Sequence, residues 1–272
     1  MTLPDPATPS HRHTVDVHSY IGPYPFRHVP HPDPDVLVRV IERERIGAAW
    51  VGHLPTAFHR DPSHGNAQLY RALAVHRQRL HPAPVVRPDW PRWMDELRRA
   101  RDEGAPVIRA YPPQWGYGDE ESPLLDLAHA CAEAGLVLLL TTRFEDLRQR
   151  SRLDVAGDLR AASVRAVARA SSAALLVVAA GRDFVEEVHW GLTPAEQGRV
   201  WWDISWVWGP PEDHLAHLLQ TMGGERFVFG TGWPLRLTQA ASANIALLPD
   251  PSAASTFADP QTLAGAASAT AR

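Results

Sequence analysis

The chain has 272 residues, enough for two small domains but also a match for a single α/β barrel of about 250 residues. Hydrophobic residues make up 44% and charged residues 21%, the balance of a globular chain with one large core, which excludes a disordered body. A formal net charge of -4 and a pI near 6.4 leave no positive excess for a phosphate backbone, so nucleic acid is excluded as a partner and a small-molecule substrate is expected.

The opening "MTLPDPATPSHRH" has no apolar run after a basic start, and nowhere do 18 uncharged apolar residues follow one another, so a cytoplasmic protein without membrane contact is expected. Residues 1–13 read as an arm before the first strand. Short β-rich runs then alternate with longer segments of helical period, the pattern of a parallel sheet wrapped by helices. Strands are predicted at 14–18 (TVDVH), 48–54 (AAWVGHL), 83–87 (APVVR), 106–110 (PVIRA), 136–141 (LVLLLT), 174–179 (ALLVVA), 200–205 (VWWDIS) and 227–230 (FVFG). Helical segments such as "PDVLVRVIERERIG", "WPRWMDELRRARDEG" and "PPEDHLAHLLQTMGG" lie between them, several ending at Gly. "AYPPQWGYGDEE" is punctuated by Pro and Gly and is predicted as an irregular lid loop. The one cysteine, Cys131, sits in a helical pattern, so the chain forms no internal disulfide and no Cys-based zinc site. Eight strand and helix pairs predict one (β/α)₈ barrel over residues 14–248, with functional side chains at the C-terminal strand ends. Residues 249–272, rich in Ala, Ser and Pro, are predicted as a loose extension with at most one short helix.

Two strand ends resemble a known family. "VDVHSYIGPYPFR" resembles the opening of the amidohydrolase-related barrels, where Asp-x-His-x-His supplies two metal ligands, and "GGERFVFGTGWPLR" resembles their closing Gly-Ser-Asp-aromatic-Pro motif. The resemblance spans roughly residues 14–247 and implies an amidohydrolase-like TIM barrel with hydrolase or lyase chemistry of the lactonase, decarboxylase or hydratase type. It also marks departures. The first ligand falls on His18, but the second falls on Tyr20, the fifth-strand His near Thr141, the sixth-strand His near Ala179 and the closing Asp on Gly232. A catalytic zinc site takes three protein ligands and an open position, so one surviving imidazole does not make a family-type metal centre. No metal or other cofactor is therefore expected.

The strand ends carry other polar groups. His18 and His53 are candidates for a general base, Asp203 and Asp16 for an orienting partner or second acid, and Tyr20 for a hydrogen-bond donor to an oxyanion. Asp16 shares the face of His18 by the period of two and is placed to hold it; His53 is read either as a second base facing the same cavity or as a structural histidine. Arg109, Arg143 and Arg182 either clamp a carboxylate substrate or pair with rim acids such as Asp146, Asp183 or Glu186. Tyr111 and Thr141 complete the polar rim. "VWWDISWVWG" holds four of the ten tryptophans in eight residues, with Trp202 and Trp206 alternating against Trp201, Asp203 and Ser205. These indoles fill space against helices, or Trp206 and Trp233 form an aromatic wall for a flat substrate. Glycine at position 232 leaves room where the family acid stands, which a bulky substrate would use. Phosphate-loop, dinucleotide and Gly-x-Ser-x-Gly signatures are missing. The sequence thus points to a divergent, metal-independent amidohydrolase-like enzyme acting on a small carboxylate, with a ligand-binding or partner-stabilising barrel as the alternative and a homo-oligomer compatible with either.

Overall fold

The computed structural model of the protein describes residues 15–30, 33–117 and 122–263. Strand β1 (Val15–Ile21) leads to helix α1 (Pro34–Arg43), β2 (Ala48–His53) to α2 (Ser63–Leu73), and β3 (Leu80–Pro82) to α3 (Trp93–Asp102). Strand β4 (Val107–Ala110) is followed by the one-turn α4 (Pro112–Trp115) and by α5 (Ser122–Ala134). A long loop joins β5 (Val137–Thr141) to α6 (Ala161–Ala170), and β6 (Leu175–Val178) precedes α7 (Arg182–Trp190) and the short α8 (Pro194–Gln197). Strand β7 (Val200–Asp203) runs to α9 (His214–Met222), and β8 (Phe227–Val228) to α10 (Thr238–Ala246).

All pairings are parallel, in two ladders ordered β1-β2-β3 and β4-β5-β6-β7-β8. Backbone bonds close the ladders into a ring. Arg109 N donates to Pro84 O at 2.8 Å on one seam, and Gly232 N to His18 O and Tyr20 N to Trp233 O, both at 2.8 Å, on the other. The first seam is thin because Pro82 and Pro84 have no N–H to give to a ladder. The same prolines explain a correction: the third strand is Leu80–Pro82, and residues 83–87 keep a bond from Ala83 N to Val51 O at 2.8 Å and a bridge from Val85 to Arg109.

Alternation along the strands sorts side chains into two apolar layers. Val137, Leu139, Leu176, Val178 and Trp201 fill the barrel interior, while Leu138, Leu140, Leu175, Val177 and Trp202 face the helices. On α1 the buried residues Leu37, Val40 and Ile41 recur at helical spacing and turn that stripe inward. Cys131 is buried in the outer layer, where burial pushes its thiol up and leaves it unreactive.

Two further expectations are corrected. The predicted lid loop contains α4, where Pro112 and Pro113 start a turn that Gly116, at φ +76°, ends; residues 118–121 lie outside the described residues. The C-terminal segment is not loose over its described part. Residues Pro251–Thr256 form a 3-10 helix, Ala258 N donates to Phe227 O at 2.9 Å, and Leu263, 1% exposed, joins the interior apolar layer. The predicted arm, His11 and His13 included, and His31 lie outside the described residues.

Candidate active site

His18 ends the regular part of β1, and its ring is the centre of the mouth. Nδ1 lies 2.7 Å from Asp203 Oδ2 and 3.1 Å from Ser205 Oγ, while Nε2 lies 3.1 Å from the Tyr20 hydroxyl. All four side chains are buried. Asp203 is an acceptor only, so Nδ1 carries the proton and Nε2 is left to accept from Tyr20. Burial raises the Tyr20 phenol above its ordinary value, with the nearby Arg109 charge opposing, so the hydroxyl stays protonated and can fill that role. Asp203 is fixed from behind: its Oδ1 accepts from Ala179 N at 2.8 Å. Ala179 adopts φ +61° to aim that N–H, a conformation that costs an L-residue about 1–2 kcal/mol. The position where the family's sixth-strand ligand would fall thus serves the carboxylate through its backbone.

Asp16 does something other than the expected positioning of the His18 ring. Its carboxylate accepts from His18 N at 2.9 Å, from the Ser19 hydroxyl, and from Thr231 N and Oγ1 at 3.0 and 2.6 Å. It therefore ties β1 to the segment after β8. The strand register shifts between Asp16 and Ser19, which breaks the simple period of two that put Asp16 and His18 on one face.

His53 ends β2, but its ring lies beside Gly22 and Nδ1 meets Thr56 Oγ1 at 2.8 Å. It stands apart from the His18 chain. Burial, with His59 and His64 nearby, lowers it to about 4.

The three arginines named from the sequence do not converge. Arg182 is paired with Asp183 at 2.9 Å and Glu186 at 3.5 Å on the first turn of α7, the rim pairing that was one of its two readings from the sequence. Arg109 is fully buried inside the mouth, its guanidinium 4.6 Å from the Tyr20 ring centre, with Nη2 reaching Val17 O and Ser19 O at 3.3 and 3.4 Å. Tyr111 and Thr141 are buried beside it, Tyr111 within side-chain hydrogen-bond reach of Arg109 and Tyr20 and Thr141 within reach of Tyr20. Arg143 bonds Asp158 at 3.1 Å and lies over Trp206. Trp233 contributes its backbone to the barrel seam through Tyr20 and is half-buried.

Two residues unmarked in the sequence complete the mouth. Phe144, just after β5, stacks on Tyr111 with ring centres 5.2 Å apart and closes the barrel from above. Arg236 packs over Gly232: a Cβ there would lie 3.2 Å from its Cδ, so the room expected at Gly232 is filled. The only hint was an arginine four positions beyond Gly232. His18, Arg143, Phe144, Trp206, Gly232, Leu235 and Arg236 line a narrow crevice with no room for a water-sized sphere.

No family model and no curated protein sequence matches the chain. Solved structures do. 2,6-Dihydroxybenzoate decarboxylase from Rhizobium aligns with a TM-score of 0.67 at 12% identity, over 93% of this chain and 98% of its own. 4-Oxalomesaconate hydratase from Rhodopseudomonas palustris aligns at 0.66 and 9% identity, over 94% and 97%. The chain shares the (β/α)₈ barrel fold of these enzymes. 5-Carboxyvanillate decarboxylase from Sphingomonas paucimobilis gives 0.61 at 12% identity, over 96% and 98%.

The resemblance read from the sequence would place metal ligands at Tyr20, Thr141, Ala179 and Gly232. The residues present do not fit such a group. Among the described residues no three His, Cys, Asp or Glu side chains gather around a common point, and both ring nitrogens of His18 already have protein partners.

Proposed function

We propose that the protein is an enzyme of the amidohydrolase type, a hydrolase or lyase that moves protons with its own side chains and acts on a small carboxylate. The observation that carries this reading is the buried chain Asp203, His18, Tyr20, with links of 2.7 and 3.1 Å, at the strand ends where barrel enzymes do their chemistry. In this reading Tyr20 Oη accepts a proton from water or a substrate hydroxyl as its own proton passes to His18 Nε2. The imidazolium that results is held by Asp203, the orienting role a buried carboxylate plays beside a catalytic histidine. The similar structures named above include decarboxylases and a hydratase whose names all carry carboxylated molecules, which supports the substrate class by analogy of fold.

The test is a panel of aromatic and unsaturated carboxylates assayed for hydrolysis, hydration and decarboxylation, with and without chelator. Turnover that persists with chelator and falls by about 10²-fold or more in His18→Asn is the expected result. Turnover abolished by chelator and restored by a divalent metal would contradict the proton-transfer reading.

A second reading, a non-catalytic ligand-binding or partner-stabilising barrel, is favoured by the closed crevice, into which no water-sized sphere fits. Under that reading ligands bind without turnover across the panel, and His18→Asn leaves the protein's effect in cells intact.

A further inference from the structure

The crevice beside His18 has no room for a water-sized sphere, so a ligand reaches the ring only if part of the wall moves. Two wall residues, Arg143 and Phe144, belong to the connection between β5 and α6, residues 142–160. This connection contains neither helix nor strand, yet it is bonded as a unit. Asp158 pairs with Arg143 at 3.1 Å and with Arg150, and Arg150 also donates to Ala156 O at 3.0 Å and to Glu145 O at 3.2 Å. The two ends are tied to each other by Leu159 N, which donates to Thr142 O at 2.9 Å, and to β6 by the Thr142 hydroxyl, which donates to Val178 O at 2.9 Å. A surface loop with joined ends and its own internal bonds can turn about those ends as one body.

One edge of the loop is packed on the barrel and the other is not. On the packed edge the Phe144 ring centre lies 5.3 Å from that of Phe58 and 6.0 Å from that of Tyr24, and the buried Glu145 pairs with Arg27 from the connection after β1. Arg27 Nη2 also donates at 3.1 Å to the backbone of Leu235, another wall residue of the crevice, so one guanidinium joins three connections around the mouth. On the free edge Leu147, Leu153 and Val155 are 70, 78 and 93% exposed. A segment that buries so little opens at far lower free energy than the whole chain unfolds.

We propose that residues 143–158 form a flap, hinged at Thr142 and Leu159, that gates access to His18, and that Arg27 is its latch. The proposal rests on the reading of the His18 mouth as the working site and concerns how entry to it is controlled. Without Arg27, Glu145 is a buried carboxylate that has lost its cationic partner, and its rehydration draws the packed edge, Phe144 included, away from the mouth.

Carbethoxylation of histidines by diethyl pyrocarbonate, followed residue by residue by mass spectrometry on the full chain, tests this. It needs no turnover, so its outcome is independent of whether His18 moves protons. The exposed His217 on α9 gives the rate of an open imidazole, and the buried His189 at the end of α7 reports global unfolding. In wild type His18 should react more slowly than His217, and Arg27→Gln should speed His18 by about tenfold or more without speeding His189. Arg165→Gln, which removes an ion pair with Glu187 between α6 and α7, should change neither rate. If Arg27→Gln does not fold, Glu145→Gln removes the same pair without leaving a buried charge and should also speed His18. An unchanged His18 rate in the folded variant, His18 and His189 speeding up together, or a wild-type His18 as reactive as His217 would overturn the proposal.

Discussion

At the scale of single residues, the site turns on how Asp203 is used. It is fully buried, and its two oxygens hold the His18 ring and the Ala179 amide. Removing one partner of a buried pair leaves the other desolvated and alone, so Asp203→Ala should destabilise the protein by about 3–5 kcal/mol in denaturant melts. Asp203→Asn, which keeps the shape, should cost less stability but reduce turnover. His53 gives a pH signature. Its folded value near 4 lies below its ordinary 6.5, so the unfolded chain binds the extra proton first. Stability from this group is complete above pH 6.5 and is lost as pH falls towards 4; His53→Gln should flatten that part of a plot of melting temperature against pH. The sequence made His18, Tyr20 and Asp203 legible as strand-end polar residues. It did not make their contact legible, because His18 and Asp203 are 185 residues apart and meet only across a closed barrel. Arg236 was missed because nothing local distinguishes an arginine over a glycine from one in solvent.

At the scale of elements, the alternation of apolar runs identified strands and helices because strands buried on both faces read as continuous hydrophobic stretches. The third strand was misplaced because "PAPVVR" has the right composition, yet its prolines withhold the donors a ladder needs. The β1 face assignment failed at the register shift after Asp16, which periodicity does not reveal. Strand β2 carries a second constraint. A Cβ at Gly52 would stand 3.0 Å from Arg109 Nε and 3.1 Å from the Tyr20 ring, so glycine is what lets the buried guanidinium lie beside the strand. Gly52→Ala should therefore cost about 1–3 kcal/mol, measured by urea unfolding, and should disturb the Tyr20 environment seen in near-ultraviolet circular dichroism.

At the scale of the whole molecule, the barrel is closed at both ends by features outside the strands. Phe144 covers the mouth, and Leu263 seals the interior layer that includes Val15, Val17 and Val228. Leu263→Ala should lower stability by about 2–5 kcal/mol in a denaturant melt, far more than a loose tail would allow. Similar solved structures share this architecture at identities near one residue in ten. The hydrogen-bonded chain Asp203, His18, Tyr20 is the central claim. The most direct measurement is the ¹⁵N spectrum of the His18 imidazole in the chelator-treated protein during titration with zinc. The account predicts an Nδ1-protonated ring whose resonances do not move at stoichiometric zinc and change in Asp203→Asn. A shift of either ring nitrogen to a metal-bound position, at one zinc per chain, would contradict it.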